Sequence, residues 1–310
     1  MKVLVTGGFG YIGAKLIQSL SEKGHDVSVF SNIVPKKFSE VKSSYEIHKG
    51  DILVKKDIQK ACNKIDAVVH LAALPHERCK ENPLMALEIN GIGTRNVLEA
   101  AKKAEVKKFI YTSTFHVYGK QKGKITEETM PFPLNDYALS KLAGEFYCRQ
   151  FNDGMKCIIM RLSNTYGFSP SPSGSNLAIN DFCIQCVRDK KIILRSRGNQ
   201  KRDFIALSDV CEAVSITLDA PTEKIRETIF NVGGDNLLSI HEAAKLVAKV
   251  YFENFKKKIP VEFVENPLNE KAVDFEFDIV RIKKLGYEPK ADIEKEVKEI
   301  LEAYKGGIIG

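Results

Sequence analysis

Lys-Val-Leu-Val-Thr-Gly-Gly-Phe-Gly-Tyr-Ile-Gly, residues 2–13, is the stretch whose reading decides the fold. Val3, Leu4 and Val5 suit a short strand buried on both faces, and the strand ends abruptly in glycine. A helix follows, because Ile12, Leu16, Ile17 and Leu20 recur at helical spacing and Gly24 supplies the stop. Gly7, Gly10 and Gly13 stand where the turn must be tight, where backbone must approach a ligand, and where the helix must pack on the strand. With a strand before and a helix after it, this triplet reads as a dinucleotide fingerprint rather than an ordinary turn. Free amides at the helix start, beside the positive end of the helix dipole, suit a pyrophosphate. Gly7, Gly10, Tyr11, Ile12 and Gly13 are therefore candidate cofactor contacts.

At 310 residues and 44% apolar, the chain can bury a large core as one α/β unit of two lobes. No run approaches the roughly 18 apolar residues of a membrane span. The first apolar run passes straight into the glycine loop, so no secretory signal is expected, and the protein reads as soluble and cytoplasmic. Seven cysteines, odd in number and scattered, look like reduced thiols rather than a disulfide framework. Cys183 and Cys186 form a C-x-x-C in a segment that reads as helix, with no second pair or nearby histidine, so no metal site is expected. The net charge of +7 comes from lysines spread along helices, with no basic run interleaved with aromatics. A solvated surface and a site for anionic phosphates explain it better than a nucleic-acid partner.

Residues 26–30 read as a second strand whose end lies beside the adenosine ribose. Ser31 and Asn32 stand where an acidic residue usually accepts from the ribose 2′-hydroxyl. Lys36 and Lys37 follow, so the cofactor, NAD(P), leans toward NADP. Asp51, next to Ile52, either accepts from an adenine amino group or serves as a polar turn residue. Another buried strand, 67–71, closes with Leu71, Ala72 and Ala73, small enough to admit a flat ring. A helix over 83–103 contains Asn90, and a strand over 107–113 delivers Thr114. Strands alternating with helices imply a parallel sheet with right-handed crossovers, whose ligands gather at the carboxyl ends of strands, so Thr114 lies at the working edge. In the helix opening at Asp136, spacing by four puts Tyr137 and Lys141 on one face. A strand over 155–162 leads to Asn164 and then to a Ser- and Pro-rich loop, 168–174, expected to be exposed. Beyond it the pattern loosens, with helices over 181–188, 239–254, 279–285 and 293–304, and a tail, 306–310, expected to fray.

Taken together, the glycine loop, the His70-Leu71-Ala72-Ala73 segment, Asn90 with Gly93-Thr94-Arg95-Asn96, the Tyr137-Ala-Leu-Ser-Lys141 motif and Arg202-Asp-Phe-Ile resemble the extended short-chain dehydrogenases. The resemblance is specifically to their nucleotide-sugar epimerase and dehydratase group, and it covers nearly the whole chain. It implies a Rossmann doubly wound lobe, 1–167 completed by about 203–232, and a smaller α/β substrate lobe from 168–202 and 233–310. The lobes would hold NAD(P) and a nucleotide-diphosphate sugar. By position, Tyr137 resembles the family's acid/base, Lys141 its partner on the nicotinamide ribose, and Thr114 the hydroxyl that shares that hydrogen bond. Asn164 and Arg202 resemble substrate contacts, with Arg202 on the diphosphate. A fixed ammonium near Tyr137 would favour phenolate. The resemblance also implies a homodimer through the helices 83–103 and 136–152.

The chain departs from the family in three places. Dehydratases carry an Asp-Glu pair directly after the threonine, where this chain has Phe115 and His116, so elimination of water is disfavoured. No arginine lies between Pro260 and Val280 to grip a nucleotide base. Ser31 replaces the acidic residue typical of epimerases that hold NAD tightly. The leading expectation is a nucleotide-sugar 4-epimerase working through a transient keto-sugar. The alternatives are a keto-sugar reductase using NADP(H) and a non-catalytic NADP-binding regulator, although regulators of this type commonly lack the tyrosine and lysine. His116, two residues beyond Thr114 on a segment read as extended, is expected to face the same side. There an imidazole titrating near neutrality could move a proton beside the ketone, or simply hydrogen-bond the sugar.

Overall fold

A computed structural model describes residues 1–35, 45–119, 122–171, 176–268 and 275–307. The chain enters as β1 (Lys2–Thr6), leaves through α1 (Tyr11–Glu22) and returns as β2 (Asp26–Ser31) and β3 (Glu46–Lys49). Helix α2 (Lys55–Ala61) leads to β4 (Ala67–His70). Next come α3 (His76–Glu81) and α4 (Pro83–Ala86), which runs through a π-helical turn, Leu87–Gly93, into α5 (Thr94–Lys103). Strand β5 (Lys108–Thr114) ends in a 3₁₀ turn, Phe115–Tyr118, followed by the short β6 (Gly123–Ile125). Helix α6 (Asp136–Gln150) then precedes β7 (Lys156–Leu162) and β8 (Asn164–Tyr166).

The remainder runs α7 (Ala178–Arg188), β9 (Ile192–Ser196), β10 (Lys201–Ala206), α8 (Leu207–Asp219) and β11 (Ile229–Val232). It finishes with β12 (Leu237–Ser239), α9 (Ile240–Phe255), β13 (Val261–Leu268), β14 (Phe275–Phe277), α10 (Val280–Lys283) and α11 (Ile293–Lys305).

Seven strands form one sheet in the order β11-β7-β5-β4-β1-β2-β3, every pairing parallel. The expected α/β class and doubly wound parallel sheet are both present. The chain winds outward from β1 through β2 and β3, then crosses back to β4 and winds the other way. This reversal opens a crevice above the carboxyl ends of β1 and β4, the place where such sheets bind ligands. Successive side chains point to opposite faces, so Val3 and Val5 join one buried cluster while Leu4 joins the other. A third core lies where α7, α9 and α11 pack around β9 and β10, with Phe182, Leu194, Val247 and Ile300 at its centre.

Two features of the fold depart from expectation. The helix over 83–103 is not uniform: the π-helical turn interrupts it, and Asn90 sits in that turn. The loop over 168–174, expected to be exposed, buries Ser169 and Ser171, and Ser169 Oγ donates to Tyr11 O at 2.7 Å. The Ser169 hydroxyl is thereby tied to the start of α1; residues 172–174 lie outside the described residues, as do 308–310 of the tail.

Candidate functional site

The crevice above β1 and β4 holds a cavity of about 420 Å³. Gly7, Gly10, Ser31, Asn32, Asp51, Ile52, Leu71, Ala72 and Ala73 line it, as the sequence suggested. Gly7 has φ +68°, and a Cβ there would stand 2.8 Å from Ala72 N, so neither its conformation nor the space admits a side chain. Gly13 lies behind the loop, where a Cβ would run into Gly7 O and sit 2.6 Å from Gly8 Cα. Gly10 caps α1 without any side-chain hydrogen bond, which leaves the first amides of the helix free for an anion.

Some of these candidates also have structural work. Tyr11 donates its hydroxyl to Gly167 O at 2.9 Å, tying α1 to the strand end beyond β8. Asp51 Oδ1 accepts from Leu53 N at 2.9 Å, so this carboxylate holds its own turn as well as facing the cavity. Ser31 Oγ donates to Ile33 O at 2.8 Å. Lys36 and Lys37 lie outside the described residues. Phe9, Phe30, Ile33, Pro35, Gly50, Leu74, Ile89 and Ser171 complete the wall. Apolar residues of this kind carry no motif, and Ser171 arrives from a distant loop, so no local signal marked them.

The candidate reacting corner lies at the carboxyl end of β5. Thr114 is buried, its hydroxyl hydrogen-bonds Tyr137, and its oxygen also accepts from His116 N at 3.3 Å. Tyr137 is half-buried, and burial first, then the neighbouring Cys79, push its phenol up to about 12 against the opposing pull of Thr114. Lys141, one turn on and buried, is brought down to about 8 by burial, and its Nζ lies 4.3 Å over the Tyr111 ring. The phenol is thus protonated, and the expected pull of the ammonium toward phenolate does not dominate the pair.

His116 also differs from expectation. It sits in the 3₁₀ turn rather than on an extended segment, and burial, then the charges of His76 and Arg202, lower it to about 4. At neutral pH it is an uncharged imidazole and does not titrate there. Its ring is 6.2 Å from Tyr137 and 6.0 Å from His76, which itself stands 5.7 Å from Tyr137. His76 was missing from the sequence reading, since it opens a short helix after β4 and follows no periodic pattern. Arg202 lies near His116 and donates Nη1 to Lys201 O at 3.0 Å. Asn164 Nδ2 donates to Asp203 O at 3.0 Å, which joins β8 to β10. Arg281, the first arginine past the gap noted in the sequence, is held by Glu127, Glu128 and Glu227.

Beneath this corner are buried polar groups, among them Asn90, which the sequence singled out, and Glu145 and Arg161, which it did not. Asn90 is fully buried, and its amide is saturated: Oδ1 accepts from Leu74 N at 2.6 Å and Nδ2 donates to Ser140 Oγ at 2.9 Å. Glu145, four residues after Lys141, pairs with Arg161 Nη2 at 2.6 Å and Nε at 3.0 Å and accepts from Ser113 Oγ. Both charges are removed from water, so losing either would strand the other at a cost of about 3–5 kcal/mol. Cys183 and Cys186 lie in α7 as expected, and every cysteine in the chain is buried and unpaired.

Residues 3–233 match the profile of the NAD dependent epimerase/dehydratase family. The chain is 29% identical over 313 residues to a putative UDP-glucose 4-epimerase of Methanocaldococcus jannaschii, covering 98% of each chain. Its fold superposes on the UDP-glucose 4-epimerase of Thermotoga maritima, solved with UDP-glucose, with a TM-score of 0.85 at 26% identity, covering 99% of this chain and 100% of that one. The UDP-glucuronic acid 4-epimerase of Bacillus cereus, in complex with UDP-glucuronic acid and NAD, gives a TM-score of 0.83 at 26% identity over 99% of each chain.

Proposed function

The chain belongs to the NAD dependent epimerase/dehydratase family, and we propose that within it this protein is an NAD(P)-dependent nucleotide-sugar 4-epimerase. One observation carries the reading. A tyrosine hydroxyl hydrogen-bonds a threonine at the carboxyl end of β5, the strand beside β4, beyond whose end Leu71, Ala72 and Ala73 line the glycine-loop cavity, and the two positions after the threonine are Phe115 and His116 rather than acids. The cradle fits a dinucleotide, since Gly7 can carry no side chain and the start of α1 offers uncapped amides.

When bound, nicotinamide supplies a reversible hydride acceptor. The chain's own residues orient and move protons. Gly7, Gly10 and the first turn of α1 would hold the pyrophosphate, and Lys141 would hold the nicotinamide ribose. As phenolate, the form that a positively charged nicotinamide would favour over the protonated phenol of the free protein, Tyr137 would take the proton of the sugar's 4-hydroxyl and return it after the intermediate has turned its other face, with Thr114 steadying the oxygen. With Phe115 and His116 after Thr114, the site lacks the acid that dehydratases place there to protonate a leaving hydroxyl, which disfavours dehydration of the keto intermediate. His116, neutral at physiological pH, would hydrogen-bond the sugar rather than shuttle protons. Arg202 would face the diphosphate.

UDP-sugars are the proposed substrates, supported by the ligands and names of the relatives described above. A lobe of 1–167 with about 203–232 would bind the cofactor, and 168–202 with 233–310 the sugar nucleotide. Leu84, Ile92, Leu139 and Phe146, exposed on α4, the π-helical turn and α6, support a homodimer through these helices. No described helix is long and apolar enough to cross a membrane, and the free thiols suit a reducing cytoplasm.

The second reading, a keto-sugar reductase exchanging NADPH, draws on Ser31: no carboxylate ends β2 to repel a 2′-phosphate. Incubating the protein with a panel of UDP-sugars and either cofactor separates the readings. Isomer formation without net change in NAD(P)H absorbance is the expected result. Net oxidation of NADPH would make it a reductase, and cofactor binding with neither would make it a regulator.

A further inference from the structure

Beneath the cleft the buried hydrogen bonds have a direction that can be worked out. The N–H of Thr94, the first residue of α5, reaches Gly91 O, while its hydroxyl lies 2.6 Å from Asn90 O. Two oxygens at that separation need a proton between them, and a carbonyl has none, so Thr94 is the donor. A hydroxyl has one proton. Toward His70 Nε2, 3.0 Å away, the same oxygen can therefore only accept, and Nε2 must carry the hydrogen.

His70 is fully buried and stays neutral, because burial and then the charge of Lys141 hold it down to about 3. Its Nδ1 is consequently bare and accepts from Thr6 Oγ1 at 2.6 Å. Thr6 Oγ1 in turn accepts from Ala72 N at 3.4 Å. A single carbonyl, Asn90 O, thus sets the tautomer of His70 and the proton of each threonine.

The two ends of this chain lie under the two halves of the cleft. Thr6 directly precedes Gly7, and Ala72 is the backbone that leaves Gly7 no room for a side chain. At the other end, Ser140 Oγ accepts from Asn90 Nδ2 and donates to Tyr137 O at 2.9 Å. Tyr111, stacked on the His70 ring at 5.8 Å between centroids, donates to Lys141 O at 3.1 Å.

We propose that Thr94, acting through His70 and Thr6, is a positioning residue that holds the cofactor loop and the Tyr137–Lys141 helix in register for the reaction. This rests on reading the cleft as an epimerase site. Thr94 itself does not line the cofactor cavity.

Thr94→Val keeps the shape and removes the hydroxyl, Thr94→Ser keeps the hydroxyl, and Thr6→Val cuts the chain from its far end. Because residues of one network couple, Thr94→Val is expected to lower kcat about tenfold and weaken NAD binding about threefold, and Thr94→Ser to stay within about twofold of the parent. Thr6→Val should lower kcat as well, and the double Val variant should lose little beyond the worse single. Additive losses, or a Thr94→Val protein with a lower unfolding midpoint but parental kcat and NAD affinity, would overturn the proposal. Nitrogen NMR on the unmutated protein with labelled histidine gives a readout independent of variant folding. The expected His70 spectrum has Nε2 protonated and Nδ1 bare, unchanged from about pH 5 to about pH 8. An Nδ1–H tautomer, or a ring titrating in that interval, would sink the idea. Neither the NAD titration nor the spectrum needs a sugar, so absence of epimerisation by the parent would count against the activity alone.

Discussion

The glycine loop would offer a cofactor bare backbone, whereas the end of β5 and the start of α6 would offer a substrate side chains. Gly7, Gly10 and the first amides of α1 would bind by having nothing in the way, and the tolerance at Gly7 is the 2.8 Å to Ala72 N that a Cβ would find. At the end of β5 and the start of α6, Tyr137, Thr114, His116 and Lys141 would work by having particular groups held in burial, and that burial displaces the proton affinities of Tyr137, His116 and Lys141. A backbone site should therefore fail sterically and be indifferent to pH. A side-chain site should survive isosteric change in shape yet fail chemically, and it should respond to pH.

Tyr137→Phe is the largest test, since it preserves shape and deletes the transferable proton. Turnover should fall by roughly 10²–10⁴-fold, with cofactor affinity kept, as for other general acid–base groups. Isomer formation measured beside a cofactor titration checks it, and parental turnover in a folded variant would remove Tyr137 from the acid/base role. On the backbone side, Gly7→Ala adds one methyl group at positive φ. Left-handed backbone costs a residue with Cβ about 1–2 kcal/mol before any clash with Ala72, so cofactor affinity should drop by at least about tenfold. Calorimetric titration decides, and unchanged affinity would mean the loop is looser than its contacts indicate.

The pH response should belong to Lys141. Its ammonium persists below about 8, so cofactor affinity should be level there and fall by up to about tenfold per pH unit above it. Stability runs the other way. The folded value, about 8, lies below the ordinary 10.5, so between them the unfolded chain binds the extra proton, and this residue's share of stability rises with pH. Lys141→Met should flatten both dependences, read from NAD titrations and from the difference in unfolding free energy between the two proteins. A parental pH profile in that variant would assign the titration elsewhere.

The smallest effect is expected at Ser31→Asp. A carboxylate there would accept from a 2′-hydroxyl and repel a 2′-phosphate, so NADP affinity should fall by about one order of magnitude at most while NAD affinity holds. Equal affinities before and after would show that the end of β2 does not meet the ribose.

How much of the cleft could be read beforehand follows the same division. The strand, glycine loop and helix of residues 2–13 are contiguous, and glycine spacing is itself the mechanism, so that side was legible along with the order of strands and helices. Tyr137 and Lys141 share one helical face and were legible as a pair, but their environment was not. The descent of Lys141 to about 8 and of His116 to about 4 comes chiefly from burial by elements distant in sequence. His76 and Ser171 were missed for the same reason, because each reaches the cleft from a loop or helix end without periodicity.

The sequence by itself determined the parallel sheet, the crevice at its reversal and the residue types offered to a dinucleotide, because those depend on local periodicity and on where glycine permits backbone to turn. Only the tertiary structure decided which of these groups are charged, which carry protons and which are already engaged. Burial and neighbouring dipoles act through space, so they arise only once β1, β4, β5, α5 and α6 have packed together. The π-helical turn at Asn90 brings that amide to Leu74 and Ser140 at once, and the same packing sets the protons of Thr6, His70 and Thr94.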